Sequence, residues 1–262
     1  MIVLNSKLAR SDLVSYPDIP GEDSNGIGQD GLLQQYYDWL LCGEPKYNGF
    51  PTEPLFCHGT ISYGYDPNKG FIVNEPINIR ANVEGNSLDL SERITTKTLV
   101  VIDILSSFFF PGDVMENGDT IRTRRECYLE CSNDYIYEGG SFATIRRINQ
   151  GEKEAGDIYV IHVGPVAINV EVDPVNPYLD KFAGSPQRLS PGPKVGYASS
   201  YMSFFRIKNP GEYIIEYGGD GKPPYHSQAC LQVIVSRDES ATLLGNLIKP
   251  RKLPLKGKLL PH

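Results

Sequence analysis

The chain has 262 residues, 40% of them hydrophobic and 22% charged, so it can bury a full core without help from metals or disulfides. Its formal charge of −7 excludes a general nucleic-acid binder, because phosphate contacts need clustered Lys and Arg. No apolar run is long enough to span a bilayer, and Ile2-Val3-Leu4 is too short for the apolar region of a secretory signal.

The five Cys (Cys42, Cys57, Cys127, Cys131, Cys230) are odd in number and widely spaced, unlike a disulfide framework, which points to reduced thiols and a cytoplasmic location. Twenty Pro and 26 Gly are spread along the whole chain, the signature of many turns between short strands. Charge is unevenly placed. Ser11 to Pro45 carries seven acidic residues and no Lys or Arg, whereas Leu247 to His262 carries Lys249, Arg251, Lys252, Lys256 and Lys258 and no acid. Opposite charge at the two ends lets them meet, within one chain or between neighbours.

Residues 1–29 read as an extended arm. Asp30 is placed to cap a helix over 31–41, with Leu32, Tyr36, Trp39 and Leu40 on the face that packs against a sheet. Alternation then predicts a strand from Leu55, a second over 76–83, and a third over 98–105 whose more continuous apolar run predicts burial on both faces. Phe108, Phe109 and Phe110 follow as core. Asp119 to Cys131 reads as a second helix capped by Asp119, with Ile121, Arg125, Tyr128 and Leu129 on one side.

In the C-terminal half, 157–163 and 167–172 read as successive strands separated by Gly164-Pro165. A Pro- and Gly-rich excursion over 173–195 follows, of a length that usually serves function or an interface. The ending has strands over 201–207, 212–217 and 229–235, with a Gly218-Gly219-Asp220-Gly221 loop before the last. Pro210-Gly211-Glu212-Tyr213 resembles the corner that opens the penultimate strand of immunoglobulin-like sandwiches, where the Tyr ring is buried and its hydroxyl bonds back to the corner's backbone.

The expected fold is therefore mainly β: an immunoglobulin-like antiparallel β-sandwich with one or two flanking helices, Ile168, Val170, Ile214 and Val233 facing a shared interior. The domain spans 30–240, as one unit or as sub-sandwiches over 55–150 and 157–237, with a basic C-terminal arm over 241–262. The helix Tyr36-Tyr37-Asp38-Trp39-Leu40-Leu41, the strand opening Cys57-His58-Gly59, the segment from Phe108 to Pro111 and the ending from Pro210 to Gly219 together resemble a family of uncharacterised bacterial proteins. This chain has His58, Ile61 and Tyr63 where that family carries Gln, Trp and Phe. The resemblance implies one continuous domain over about residues 31–237 and no chemistry.

Three chemistries compete. His58, His162 and His226 lie in or beside strands, and a sandwich that joined them would make an imidazole site for a transition metal, with Cys57 or Cys230 as added ligands and a metal-dependent enzyme as the consequence. Separate histidines bonded to backbone or solvent are the plainer alternative. Asp113, Glu116 and Asp119 form an oxygen-rich loop of the kind that holds calcium, set against ordinary solvated turn acids. Cys127 and Cys131, four apart, suit either a soft metal or two small core positions. The basic arm, with Lys249, Arg251, Lys252, Lys256 and Lys258 between prolines, favours an extended conformation that needs another surface to hold it. The expected function is thus binding or assembly, with a protein partner or the chain's own copies, through 173–195 and the terminal arms.

Overall fold

The computed structural model describes residues 13–15, 28–42, 54–66, 70–81, 94–115, 118–132, 140–148, 156–174, 190–220 and 226–237, with backbone alone at 14–15, 58–66, 70–81, 220 and 226–232. In chain order these form β1 (Leu13–Ser15), α1 (Gln29–Cys42), β2 (Leu55–Asp66), β3 (Gly70–Ala81), β4 (Ile94–Thr95), β5 (Val100–Phe109), α2 (Arg124–Ser132), β6 (Phe142–Arg147), β7 (Gly156–Asp157), β8 (Ile161–Val172), β9 (Gly192–Ile207), β10 (Gly211–Asp220) and β11 (His226–Ser236). The protein is mainly β, with two helices and two mixed sheets.

The first sheet has the order β1-β9-β5-β2-β3, with β8 beside β1 on the same edge of β9. The second has the order β4-β11-β10-β6-β7. Strands from 55–150 and from 157–237 are interleaved in both, β5 pairing with β9 and β6 with β10. The expectation of purely antiparallel pairing is corrected, because β2 runs parallel to β5 and β4 parallel to β11. Side-chain alternation specifies which face a residue takes and carries no information about the direction of the neighbouring strand.

The first sheet is covered on both sides. Cys57, Val100, Ile102 and Phe205 meet Ile145, Tyr213, Ile215 and Val233 of the second sheet in one apolar cluster. On the other face Phe56, Val101, Ala198, Met202 and Phe204 meet Leu33, Tyr36, Tyr37, Trp39 and Leu40 of α1. This is the burial of β5 on both faces that its continuous apolar run predicts. Ile168 and Val170 are buried under α1 rather than between the sheets, and Ile214 is half-buried. Each large side chain so buried contributes about 2 kcal/mol.

α1 begins earlier than predicted: the carbonyl of Gly28 accepts the Leu32 N–H at 3.0 Å, so Asp30 lies within the first turn, where its charge complements the helix dipole, and is not the cap. α2 begins later. Thr123, not Asp119, caps it: the Thr123 hydroxyl accepts the Glu126 N–H at 3.2 Å, while Glu126 Oε2 accepts the Thr123 N–H at 3.1 Å, the reciprocal pair of a capping box. Its inward face is Cys127 and Cys131, which join Phe109 and Ile121, whereas Arg125, Tyr128 and Leu129 are exposed.

Three further boundaries differ from expectation. Leu13–Ser15, assigned to an extended arm, is a strand paired with Phe205–Ile207. Gly164-Pro165 does not separate two strands: it forms an irregularity opposite Ala198 and Ser199 within continuous β8, with Gly164 at φ +116°. The Gly218-Gly219 segment belongs to β10, which runs through to Asp220. At the crossing from β9 into the second sheet, Tyr213 is buried and its hydroxyl donates to the Asn209 carbonyl at 2.9 Å, the corner that the Pro-Gly-x-Tyr pattern predicts. Arg147 closes the same corner, donating to the Pro210 carbonyl at 2.6 Å with its guanidinium over the Tyr213 ring. At Gly196 β9 passes so close to β5 that a Cβ would collide with the Phe109 carbonyl oxygen, an approach that only glycine permits.

Candidate functional site

The backbone does not gather the three histidines into one row. His58 lies on β2 in register with Asp103 of β5, which is in register with Met202 of β9, itself opposite Ile161 of β8. His162 belongs to the next row, opposite Tyr201. His58 and His162 are therefore three strands apart, roughly 14 Å at about 4.8 Å per strand. His226 is on β11 in the other sheet, opposite Asp220.

His162 has a defined environment. Its ring is exposed, 4.8 Å from that of Tyr201, and its Nε2 lies 2.6 Å from the Ser199 hydroxyl. A hydroxyl so close to an imidazole is the starting geometry of a nucleophile and its base. Ser199 is only 2% exposed, however, and among the described residues no carboxylate bonds to the ring to orient it. The pair bridges β8 and β9 within the first sheet. Sequence reading does not single out Ser199, since nothing in Ala198-Ser199-Ser200 tells which hydroxyl meets a histidine.

The acidic loop is a short hairpin. The Ile121 N–H donates to the Asp113 carbonyl at 2.9 Å, the Met115 N–H to the Asp119 carbonyl at 2.7 Å, and Val114 bridges Thr120. Asp113 turns its carboxyl inward to accept the Phe110 N–H at 2.8 Å, and burial pushes its pKa up to about 6, against the opposing effects of that N–H and of Lys194. Asp119 is exposed, and Glu116 lies outside the described residues. Among the described residues no group of three His, Cys, Asp or Glu is placed to hold a metal. Cys127 and Cys131 are packed as small core residues, their thiols pushed up to about 11 and about 12 chiefly by burial. Cys57 is likewise buried and raised to about 12.

One buried polar centre escapes sequence reading. Asp103, 1% exposed, accepts the Tyr36 hydroxyl at 2.7 Å and the Ser106 hydroxyl at 2.9 Å on Oδ2, and the Ser200 hydroxyl on Oδ1. A signal for it is present: an Asp alone within the apolar run Leu99 to Leu105 must find donors, because an unpartnered buried carboxyl is costly. Its place beneath α1 makes it a clamp between helix and sheet.

The surface with a distinct chemical character lies where 173–195 ends. Tyr128 and Leu129 of α2 are 44% and 46% exposed, and Val195 of β9 is 40% exposed. Between them the Tyr197 ring meets Tyr128 edge to face at 5.4 Å and lies under the Arg124 guanidinium at 5.7 Å. Lys194 donates to the Ser190 hydroxyl at 2.6 Å and fixes the chain's entry into β9. Residues 175–189 and the basic residues Lys249, Arg251, Lys252, Lys256 and Lys258 lie outside the described residues. No described helix is long and apolar enough to cross a membrane. No family model matches the sequence, and no match was found among curated proteins or solved structures.

Proposed function

We propose that the protein works by contact with other protein chains, its own copies first, within an immunoglobulin-like sandwich framework. The observation that carries this is the exposed group of Tyr128, Leu129 and Val195 around Tyr197, with Arg124 over the ring. Tyr and Arg at the centre of an apolar patch are the residue types that dominate protein interfaces. Val195, where the 173–195 excursion ends, is itself part of this patch. A second copy is the favoured occupant because the chain carries both an acidic stretch over 11–45 and a basic one over 247–262, which complement each other between neighbours.

Light scattering and sedimentation over a wide concentration range test the proposal. Association of the full chain should weaken by about tenfold or more with Leu129→Asp, which places a charge on the exposed apolar side of α2. Truncation after residue 246 should weaken it as well. A chain that stays monomeric at every concentration, or that associates equally well with both changes, overturns the proposal.

A further inference from the structure

β8 lies at an edge of the first sheet, and among the described residues it pairs only with β9. An antiparallel ladder turns every second residue's N–H and C=O away from the partner strand. On β8 the outward residues include Asn169 and Glu171. Pro193, which has no N–H to give, stands opposite Glu171, as that phase requires. An exposed edge of this kind is a template for an added strand.

The edge is closed by α1. Gln34 Nε2 donates to the Asn169 carbonyl at 2.9 Å, and Gln34 Oε1 accepts the Asn169 N–H at 2.9 Å. The carboxamide therefore makes both bonds that a neighbouring strand's backbone would make. Its second amide hydrogen goes to Asp38 Oδ1 at 2.9 Å, one helical turn on, which fixes which end of the amide faces which backbone group. One further turn along α1, the Leu41 carbonyl, one of the last four that an α-helix leaves without a partner in its own ladder, accepts the Asp173 N–H at 3.1 Å. The helix thus meets Asn169 of the strand and Asp173 just past its end with different groups.

We propose that α1 is an edge guard: Gln34, oriented by Asp38, occupies the backbone of Asn169 as a strand mimic and keeps β8 from accepting a strand of a second copy. The Asp38 bond explains why the residue is held in a strand-like pose instead of sampling solvent. Asn169 stands opposite Val195 of the α2 patch in register, so the guard is tested with that patch disabled.

Hydrogen exchange and light scattering test it, with Gln34→Leu and Gln34→Asn made in a Leu129→Asp background so that the α2 patch does not contribute. Leu can make neither bond, and Asn is one methylene too short to reach. In both, exchange at the Asn169 N–H should rise about tenfold, the factor for one lost hydrogen bond, while amides of Val170 and Met202 stay protected. Concentration-dependent association should rise with it. Asp30→Leu adds the same apolar surface at an exposed position of α1 one turn before Gln34 and leaves both Gln34 bonds to Asn169 in place, so both readouts should stay unchanged. Unchanged Asn169 exchange in the Gln34 variants, unchanged association in them, or equal association in Asp30→Leu overturns the proposal.

Discussion

The hydroxyl of Tyr36 on α1 lies 2.7 Å from Oδ2 of Asp103 on β5, which couples the helix to the centre of the first sheet by a fully buried polar contact. The contacts of Leu33, Trp39 and Leu40 beside it are apolar and tolerate small slides, whereas this bond has one geometry. Tyr36→Phe keeps the ring, with its edge contacts to Tyr37 and Phe56, and removes only the donor. The loss should be about 2 kcal/mol, as for a hydrogen bond to a carboxyl group that stays buried. Urea unfolding monitored by Trp39 fluorescence measures it. A midpoint unchanged from the parent chain would show that Ser106 and Ser200 satisfy Asp103 without the tyrosine.

Asp113 gives the protein an acid-favoured contribution to stability. Its pKa is raised by burial from 3.8 to about 6, so the folded state holds the proton more tightly than the unfolded state does. The contribution is fully present below about pH 4 and is lost as pH rises through about 6, by an amount on the order of 2 to 3 kcal/mol. Asp113→Asn keeps an oxygen for the Phe110 N–H and has no charge to desolvate. Denaturant unfolding at a series of pH values should show the variant more stable than the parent by about 1 to 2 kcal/mol at neutral pH, and no more stable at about pH 4. A parent chain that gains stability relative to the Asp113→Asn variant as pH rises through this window would refute the assignment.

How much of this is legible in the sequence follows from what local pattern encodes. The buried face of α1, the two-sided burial of β5 and the Tyr213 corner each depend on residues close in sequence, whose spacing or turn chemistry determines the outcome. The parallel neighbours β2 with β5 and β4 with β11 depend on where the chain goes after it leaves a sheet, and no periodicity records that. α2 starts later than its sequence suggests because Asp119, a good cap in isolation, is bound into the hairpin from Gly112 to Ile121, leaving Thr123 and Glu126 to form the box. The surface at Tyr128 and Leu129 is hidden for the same reason, since an inward stripe anchored on Ile121, which belongs to the hairpin and not to the helix, takes in those residues in place of Cys127 and Cys131. Gln34 with Asn169 spans 135 residues, and the pair is visible only once β8 is known to be an edge.

The cysteines provide a last test, because their chemistry follows from burial alone. The thiolate is the species that alkylates and that binds soft metals, and desolvation disfavours it. With Cys57 and Cys131 raised to about 12 and Cys127 to about 11, the thiolate fraction at about pH 8 falls about a hundredfold or more below that of an ordinary thiol near 9. The Cys131 thiol is further engaged as a donor to the Tyr197 carbonyl at 3.2 Å, which favours its protonated form. Iodoacetamide at mildly alkaline pH should therefore modify the half-buried Cys42 well before Cys57, Cys127 or Cys131, and those three should react only as fast as the protein opens. Peptide mapping by mass spectrometry across a urea series follows each site. Native-state labelling of Cys127 and Cys131 at the rate seen in unfolding urea would mean that α2 leaves the sheet readily, and that the pair is available as ligands after all.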